Sequence, residues 1–384
     1  MIETHAWRIT QHKSFVRAPK ELHAGDLVEV LSPQEILATL DEHGELESLP
    51  FMPEMLQFCG RRFYVDKIAV KACDTITNNG MDRMHNAVHL RNTRCDGSAH
   101  GGCQAACNIY WKNAWLRRIE GPKTVNGVSQ GPEQTARSVR MLPLSPVACT
   151  IETLSRATRK ETGSEQRDDP CYACQATELH RATSERLPFW NASSYIRDVR
   201  SGNVEGRAML VCLAIGVFNK VQDGARRLLP ERLSIRGGRR FPFIEGRLHK
   251  TPDATLGLRP GEVVRIKSKE EIVRTLDVNN RNRGMSFDPE MLMYCGREAR
   301  VRQRVQKIID EKTGRMIHLK NPCIMLEDVV CTARYHRYCP RAIFPYWREI
   351  WLERVAPPTE PSSDRAVANA RFDAELGELA PGPG

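Results

Sequence analysis

Residues 25–41, GDLVEVLSPQEILATLD, return later in the chain as residues 261–277, GEVVRIKSKEEIVRTLD. The offset between the two copies is 236 residues, and further matches at this offset continue to positions 119 and 355. We therefore call residues 25–119 the first repeat and residues 261–355 the second repeat. Positions that keep the same residue in both repeats serve the fold, a shared site or both.

Two further blocks match at the same offset. FMPEMLQFCGR at 51–61 aligns with FDPEMLMYCGR at 287–297. CDGSAHGGCQAACNIYWKNAWLRRI at 95–119 aligns with CTARYHRYCPRAIFPYWREIWLERV at 331–355. One architectural unit is therefore present twice.

The start of each repeat predicts a strand that runs into a short helix. Apolar residues alternate over residues 27–30, as they do in a half-buried strand. Ser32 and Glu35, three residues apart, form a capping box, and Pro33 occupies the first helical position. The second repeat keeps this box at residues 268–271 without the proline. We expect a helix of about two turns that ends at Asp41 and its equivalent.

After this helix the pattern predicts more strands. Each PEM block indicates a helical turn, a glycine break at Gly60 or Gly296 and a strand beyond it. Further strands are predicted at 87–90 and at 316–319 or 324–326. Short strands, one small helix and glycine breaks favour a compact SH3-like barrel in each repeat. The predicted fold class is α+β, with two homologous β-rich domains and a helical insert.

Residues outside the repeats complete the predicted organisation. An apolar face over Asn203–Asp223 indicates a helix, so the middle of the chain is interpreted as a linker and a helical module. The Pro-rich, apolar-poor C-terminus predicts a disordered tail. The predicted units are a leader at 1–23, the first Cys/His repeat domain at 24–120, the linker and helical module at 121–256, the second Cys/His repeat domain at 257–356, and the tail at 357–384.

The composition is typical of a soluble globular protein, with 41% apolar and 27% charged residues among 384. A formal net charge of +10 favours an acidic partner, such as a nucleic acid, a phosphorylated substrate or an acidic protein. No uninterrupted apolar run approaches the roughly 18 residues of a membrane-spanning helix. The N-terminal MIETHAWRITQHKSF lacks the apolar core of a signal peptide. We therefore expect a cytoplasmic protein without a membrane partner.

Thirteen cysteines are many for a chain without an export signal. A reducing compartment disfavours disulfides, so grouped cysteines indicate metal ligation. Cys95, Cys103 and Cys107 lie in a glycine-rich loop whose backbone can fold thiolates around a tetrahedral ion. Three members of this cluster recur in the second repeat at the same spacing: Cys95, His100 and Cys103 align with Cys331, His336 and Cys339.

The differences between the repeats favour ligation over packing. Isoleucines replace Cys73 and Cys107 in the second repeat, where Cys323 is new. A packing cysteine need not be replaced, whereas a metal site that loses ligands must recruit another. The alternative is that these cysteines are small buried apolar residues. The predicted ligands are Cys73, Cys95, Cys103 and Cys107 in the first repeat, with His100 and His89 as further candidates, and Cys323, Cys331, His336 and Cys339 in the second.

Zinc is the predicted ion because it suits closed structural sites of thiolate and imidazole. An iron–sulfur cluster is the alternative, since four thiolates at these spacings suit both. Cys171-x-x-Cys174 could complete a site or act as a redox dithiol. Cys59 and Cys295 precede glycine breaks in apolar segments and are interpreted as core residues.

Two resemblances to known families bear on this interpretation. Residues 95–100, CDGSAH, resemble the core of the CDGSH iron–sulfur family, with one extra residue before the histidine and without the upstream C-x-C. This resemblance implies iron–sulfur chemistry as the alternative cofactor. The GDxVxV, FxPEMxxxCG and W-x3-W-L-x-R blocks resemble an uncharacterised bacterial family with a duplicated Cys/His-containing domain. That resemblance implies a bacterial, cytoplasmic protein.

Paired tryptophans follow the cysteine loop in each repeat. Trp111 and Trp115, with their equivalents Trp347 and Trp351, are four residues apart, a spacing that predicts one face of a helix. Beside lysines and arginines they could stack on single-stranded nucleic acid. The alternative interpretation is that they close the core beside a metal site while the charges reach water.

The sequence contains no phosphate-binding G-x-x-x-x-G-K-S/T, no H-E-x-x-H and no G-x-S-x-G motif. The predicted function is therefore a cytoplasmic metal-binding protein with a binding or accessory role toward an unknown protein or small molecule. One alternative is a metal- or iron–sulfur-dependent enzyme of small-molecule biosynthesis. A second is a nucleic-acid-binding module. Whether either repeat is catalytic stays open.

Overall fold

The computed structural model of the protein describes residues 21–77, 80–119, 149–160, 170–228 and 230–355. Most of the predicted leader and all of the predicted tail lie outside these residues, as does the Gly/Pro-rich stretch at 121–132 of the predicted linker.

The first repeat curls an antiparallel sheet into a half-barrel. The strands up to the middle of the chain are β1 Leu27–Val30, β2 Glu45–Leu46, β3 Leu49–Pro50, β4 Arg62–Ile68, β5 Lys71–Cys73, β6 Met81–Arg83, β7 Ala87–Arg94, β8 Asn108–Lys112, β9 Leu116–Arg118 and β10 Arg186–Leu187. Five of them form the half-barrel in the order β8-β7-β4-β1-β9. A small sheet of order β10-β6-β5 joins the first repeat to the middle of the chain.

The second repeat forms a four-stranded half-barrel of the same design. Its strands are β11 Val263–Ile266, β12 Arg281–Asn282, β13 Met285–Ser286, β14 Glu298–Ile309, β15 Met316–Leu326 and β16 Leu352–Arg354, and the sheet order is β15-β14-β11-β16. Val65 pairs with Leu90, and their equivalents Val301 and Leu326 also pair. The register is therefore the same in both repeats. The mixed helix-and-sheet class with two β-rich parts agrees with the predicted fold, while SH3-like closure stays a prediction.

Helices are short within the repeats and longer between them. The α-helices are α1 Pro33–Leu37, α2 Ile151–Ala157, α3 Gln175–Ala182, α4 Ala192–Arg200, α5 Gly206–Leu228 and α6 Lys269–Val273. The 3-10 helices are Pro53–Phe58, Asn113–Trp115, Glu231–Leu233, Ile235–Gly238, Pro289–Tyr294 and Glu349–Trp351. The predicted capping boxes at Ser32 and Ser268 are confirmed. Helix α1 is shorter than predicted and ends at Leu37, and Asp41 accepts the N–H groups of His43 and Glu45 in a later turn.

Each half-barrel closes over its own core, and the paired tryptophans lie in these cores. Trp111 and Trp115 are fully buried in the first core, as are their equivalents in the second. The predicted helix is wrong, because Trp111 lies on strand β8 and Trp115 on the 3-10 helix that follows. The core interpretation is confirmed. Buried indoles are not available as a platform for nucleic-acid bases.

The predicted apolar helix of the middle segment is confirmed as α5. By length and composition α5 could cross a membrane, and only 17% of its most apolar stretch is buried. The search for uninterrupted apolar runs did not predict a helix of this kind, because polar residues such as Asn219 interrupt the apolar run. Leu210 and Val221 lie exposed on its surface.

The two repeats meet about an approximate two-fold axis. Thr75 donates its hydroxyl to Glu311, which is its own equivalent in the second repeat. A residue that contacts its own equivalent lies on such an axis, and other contacts then occur in pairs. One such pair joins the Cys73 N–H to the Cys339 thiol sulfur at 3.2 Å and the Ile309 N–H to the Cys103 sulfur at 3.4 Å. The cysteine loop of each repeat is thus docked on the other repeat.

Candidate metal centres

Each repeat brings one glutamate, one cysteine and one histidine together. Glu54, Cys95 and His100 form the first group, and their equivalents in the second repeat form the other. Within each group one ligand atom of every side chain lies within 4.8 Å of the others, close enough to hold a metal ion. The glutamates come from the 3-10 helices Pro53–Phe58 and Pro289–Tyr294, and the other two side chains come from the cysteine loop.

The cysteine loop has the same conformation in both repeats. Gly97, Gly101 and Gly102 have φ values of 72°, 63° and 72°, and their equivalents Ala333, Arg337 and Tyr338 have φ values of 54°, 64° and 51°. Left-handed backbone costs a residue with a side chain about 1–2 kcal/mol. The second repeat therefore keeps this loop although it has lost the glycines that make it easy, which indicates that the loop serves a site.

The glutamates hold this loop in place. Glu54 accepts the N–H of Ala99 at 3.1 Å, and Glu290 accepts the N–H of the equivalent Tyr335 at 2.6 Å. Both glutamates are buried. Glu290 also accepts the N–H of Arg334 at 2.9 Å, whereas the second oxygen of Glu54 is buried without a hydrogen-bond partner. A buried carboxylate oxygen without a partner is costly unless a cation compensates it.

In the second repeat the histidine is oriented for ligation. The Nδ1 of His336 lies 3.1 Å from Glu290, and its Nε2 faces the sulfur of Cys331 at 3.6 Å. Burial opposes the charged ring, but the contacts with Cys331 and Glu290 outweigh it and raise the pKa of His336 well above its ordinary value. The Glu290 carboxylate fixes the ring in the way that outer carboxylates fix metal-bound histidines.

Two more thiols lie beside this group, and one comes from the first repeat. Cys73, Cys331 and Cys339 pack in one small cluster with Met81 and Leu187. Burial alone would raise the pKa of Cys339, but hydrogen bonds from Cys73 and the backbone lower it to about 7. The same hydrogen bond, together with burial, raises the pKa of Cys73.

In the first repeat the histidine is fully engaged. The Nδ1 of His100 lies 2.6 Å from Glu54, and its Nε2 lies 2.9 Å from the carbonyl oxygen of Ala173. Both nitrogens face oxygen acceptors, so neither lone pair is free for an ion in this geometry. His100 therefore links the cysteine loop to the segment that precedes α3.

Three cysteines of the first repeat instead line a cavity of about 80 Å³. This cavity lies between the two repeats and the start of α3. Its wall contains Arg341, Glu311 and Tyr346 from the second repeat. The thiols that line it are those of Cys95, Cys103, Cys107 and Cys174.

The structure regroups the predicted ligands. Cys73 lies with Cys339 rather than with Cys95, because its strand docks on the other repeat. Cys323 lies on strand β15, where its sulfur is 3.6 Å from a guanidinium nitrogen of Arg348, and the structure places it in neither group. His89 is buried and bonds the carbonyl oxygen of Ile109 at 2.8 Å.

Glu54 and Glu290 were not predicted as site residues. They are identical in both repeats, so the comparison of the repeats contained the signal, but a glutamate after a proline also fits a simple helix start. Cys171-x-x-Cys174 was predicted only as a pair that could complete a site or act as a redox dithiol. Cys174 lines the cavity, whereas Cys171 donates its thiol to the carbonyl oxygen of Thr313 at 2.9 Å. The two cysteines of the C-x-x-C pair therefore have different surroundings. Cys59 and Cys295 pack against the cores, as predicted.

No protein-family model matches this chain, and neither a curated protein nor a solved structure is significantly similar to it.

Proposed function

We propose that this is a metal-binding protein whose second repeat holds a zinc ion, with a binding or accessory role. The observation that carries the proposal is the repeated assembly of one glutamate, one cysteine and one histidine at equivalent positions. Both copies of the duplicated unit have kept these three side chains together. The retention of the left-handed loop without its glycines supports the same conclusion.

The ligands we propose are Cys331, His336, Cys339 and, from the first repeat, Cys73. Cysteine thiolates with one histidine form a common closed zinc site, with Zn–S and Zn–N distances of about 2.3 and 2.0 Å. Glu290 would orient His336 rather than bind the ion, because its oxygens already accept N–H groups of the loop. Since Cys73 belongs to the other repeat, this ion would join the two repeats.

We place this function in a reducing compartment such as the cytoplasm. All thirteen cysteines lie among the described residues, and none forms a disulfide. Reduced thiols are the form that binds zinc.

Metal analysis of the purified protein tests the proposal. The chain, produced with zinc and iron available, is expected to contain about one zinc ion by mass spectrometry. Cys331→Ser should abolish zinc binding, and Cys295→Ser is the matched control because Cys295 is a half-buried core cysteine of the same repeat. Less than about half an equivalent of zinc in the wild type, or equal zinc in both variants, would contradict the proposal.

A second candidate function is an enzyme that depends on an iron–sulfur cluster. The observation that favours it is the cavity lined by four cysteines. A colourless protein without iron, after anaerobic supply of iron and sulfide, would exclude this candidate.

A further inference from the structure

We propose that the cavity between the repeats and the start of α3 binds an iron–sulfur cluster through Cys95, Cys103, Cys107 and Cys174. This site shares no ligand with the zinc site of the second repeat. The two proposals can therefore fail separately.

The four thiols reach the cavity from three parts of the fold. Cys95 and Cys103 belong to the cysteine loop of the first repeat, and Cys107 directly precedes strand β8. Cys174 is the N-cap of α3. His100 holds these parts together, because it bonds Glu54 on one side and the carbonyl oxygen of Ala173 on the other.

The shape of the site suits a cluster. An iron–sulfur cluster of either the 2Fe–2S or the 4Fe–4S type is bound by four cysteine thiolates, and its irons and sulfides need a volume between them. A cavity of about 80 Å³ provides such a volume.

The charges of the site also fit a cluster. The four thiols line one cavity, and thiolates gathered there need a metal cation to compensate their charge. Arg341 is the buried cation of the wall, and it is already bonded to Glu311 at 2.8 Å.

The second repeat contributes two apolar side chains to the wall of this site. Ile309 and Ile343, which line the cavity, are the equivalents of Cys73 and Cys107. The axis that relates the repeats thus places the isoleucines of one repeat opposite the cysteines of the other. Apolar side chains limit the access of water and shield a cluster.

Anaerobic reconstitution with iron and sulfide tests the proposal. The wild type is expected to gain a broad visible absorption and to contain iron and acid-labile sulfide in equal amounts, with at least two of each per chain. Cys174→Ser should lose most of this absorption while it keeps its zinc. Cys171→Ser is the matched control, because Cys171 is buried three residues away but bonds Thr313 and does not line the cavity.

Thiol alkylation of the wild-type protein provides a second measurement that does not depend on the folding of a variant. The cluster should protect the four cavity thiols from alkylation relative to the protein before reconstitution, whereas Cys59 and Cys295 should react equally in both. The proposal is overturned if the reconstituted wild type holds no sulfide-bound iron. It is also overturned if Cys174→Ser keeps the full absorption, or if the four thiols are not protected.

Discussion

The cysteine loops of the two repeats have left-handed residues at the same positions but have different surroundings. In both repeats a buried glutamate accepts loop N–H groups and contacts a histidine. The Nε2 of His100, however, faces the carbonyl oxygen of Ala173, whereas the Nε2 of His336 faces the sulfur of Cys331. The difference arises because α3 packs on the first loop, while the strand with Cys73 packs beside the second.

A duplicated site can therefore diverge through the residues that pack around it. The side chains that define each loop are the same, and the residues that complete each set come from outside the repeat. Cys174 is contributed by the middle segment and Cys73 by the opposite repeat. A ligand set is therefore a property of the assembled chain rather than of one repeat.

The largest loss of stability is expected at core residues that the two repeats share. Trp115→Ala and Trp351→Ala should each destabilise the protein by about 3–5 kcal/mol, because both indoles are fully buried and both N–H groups bond a threonine. Chemical denaturation measures both losses. Trp190→Ala, at an exposed side chain, should cost less than about 0.5 kcal/mol. Clearly unequal losses would show that the two cores are not equivalent.

His89 should make the stability of the protein depend on pH, whereas its equivalent in the second repeat, Met325, cannot. Burial lowers the pKa of His89 to about 3, whereas an unfolded histidine titrates near 6.5. Between these values the unfolded chain binds a proton that the folded chain does not. Stability is therefore lost as the pH falls from about 6.5 to about 3, by up to about 1.4 kcal/mol per pH unit.

The second repeat suggests the variant that tests this. Met325 is the equivalent of His89, so His89→Met should flatten the dependence of unfolding free energy on pH in that window. His43→Met, at an exposed side chain, should leave the slope unchanged. An unchanged slope in His89→Met would show that His89 is not held neutral by burial.

The two glutamates should differ in their effect on zinc. Glu290→Gln is expected to weaken zinc binding about 10- to 100-fold, because the carboxylate orients His336. Glu54→Gln should leave zinc affinity within about a factor of two, because His100 is not a zinc ligand in this account. Competition with a chelator measures both affinities. Equal losses in the two variants would contradict the division of roles between the repeats.

The smallest effect concerns the loop backbone. Ala333→Gly should stabilise the protein by up to about 1 kcal/mol, because φ is 54° at this buried residue. The reverse change at the equivalent position, Gly97→Ala, should destabilise it, since a Cβ there would collide with the carbonyl group of Cys103. Thermal unfolding measures both shifts, and a stabilising Gly97→Ala would contradict the collision with Cys103.

Local structure could be predicted where a sequence pattern fits only one conformation. Examples are the capping boxes at Ser32 and Ser268, the strands that follow and the apolar helix of the middle segment. The tryptophan pairs do not, because a spacing of four also fits a strand that runs into a 3-10 turn.

The ligand sets could be predicted only in part. Cys95, His100 and Cys103 and their equivalents are identical in both repeats, and the structure places two of the three in each group with the glutamate. Cys73 and Cys174 could not be assigned, because their neighbours depend on how the repeats and α3 pack. Cys323 was predicted to replace a lost ligand, but on strand β15 its sulfur lies beside the guanidinium group of Arg348.

If the two repeats hold different metal centres, their metal contents should differ. Zinc, iron and acid-labile sulfide are quantified per chain in the anaerobically reconstituted wild type. We predict about one zinc ion together with iron and sulfide in equal amounts. Two zinc ions without sulfide would show that the repeats bind the same ion, and no bound metal would contradict both sites.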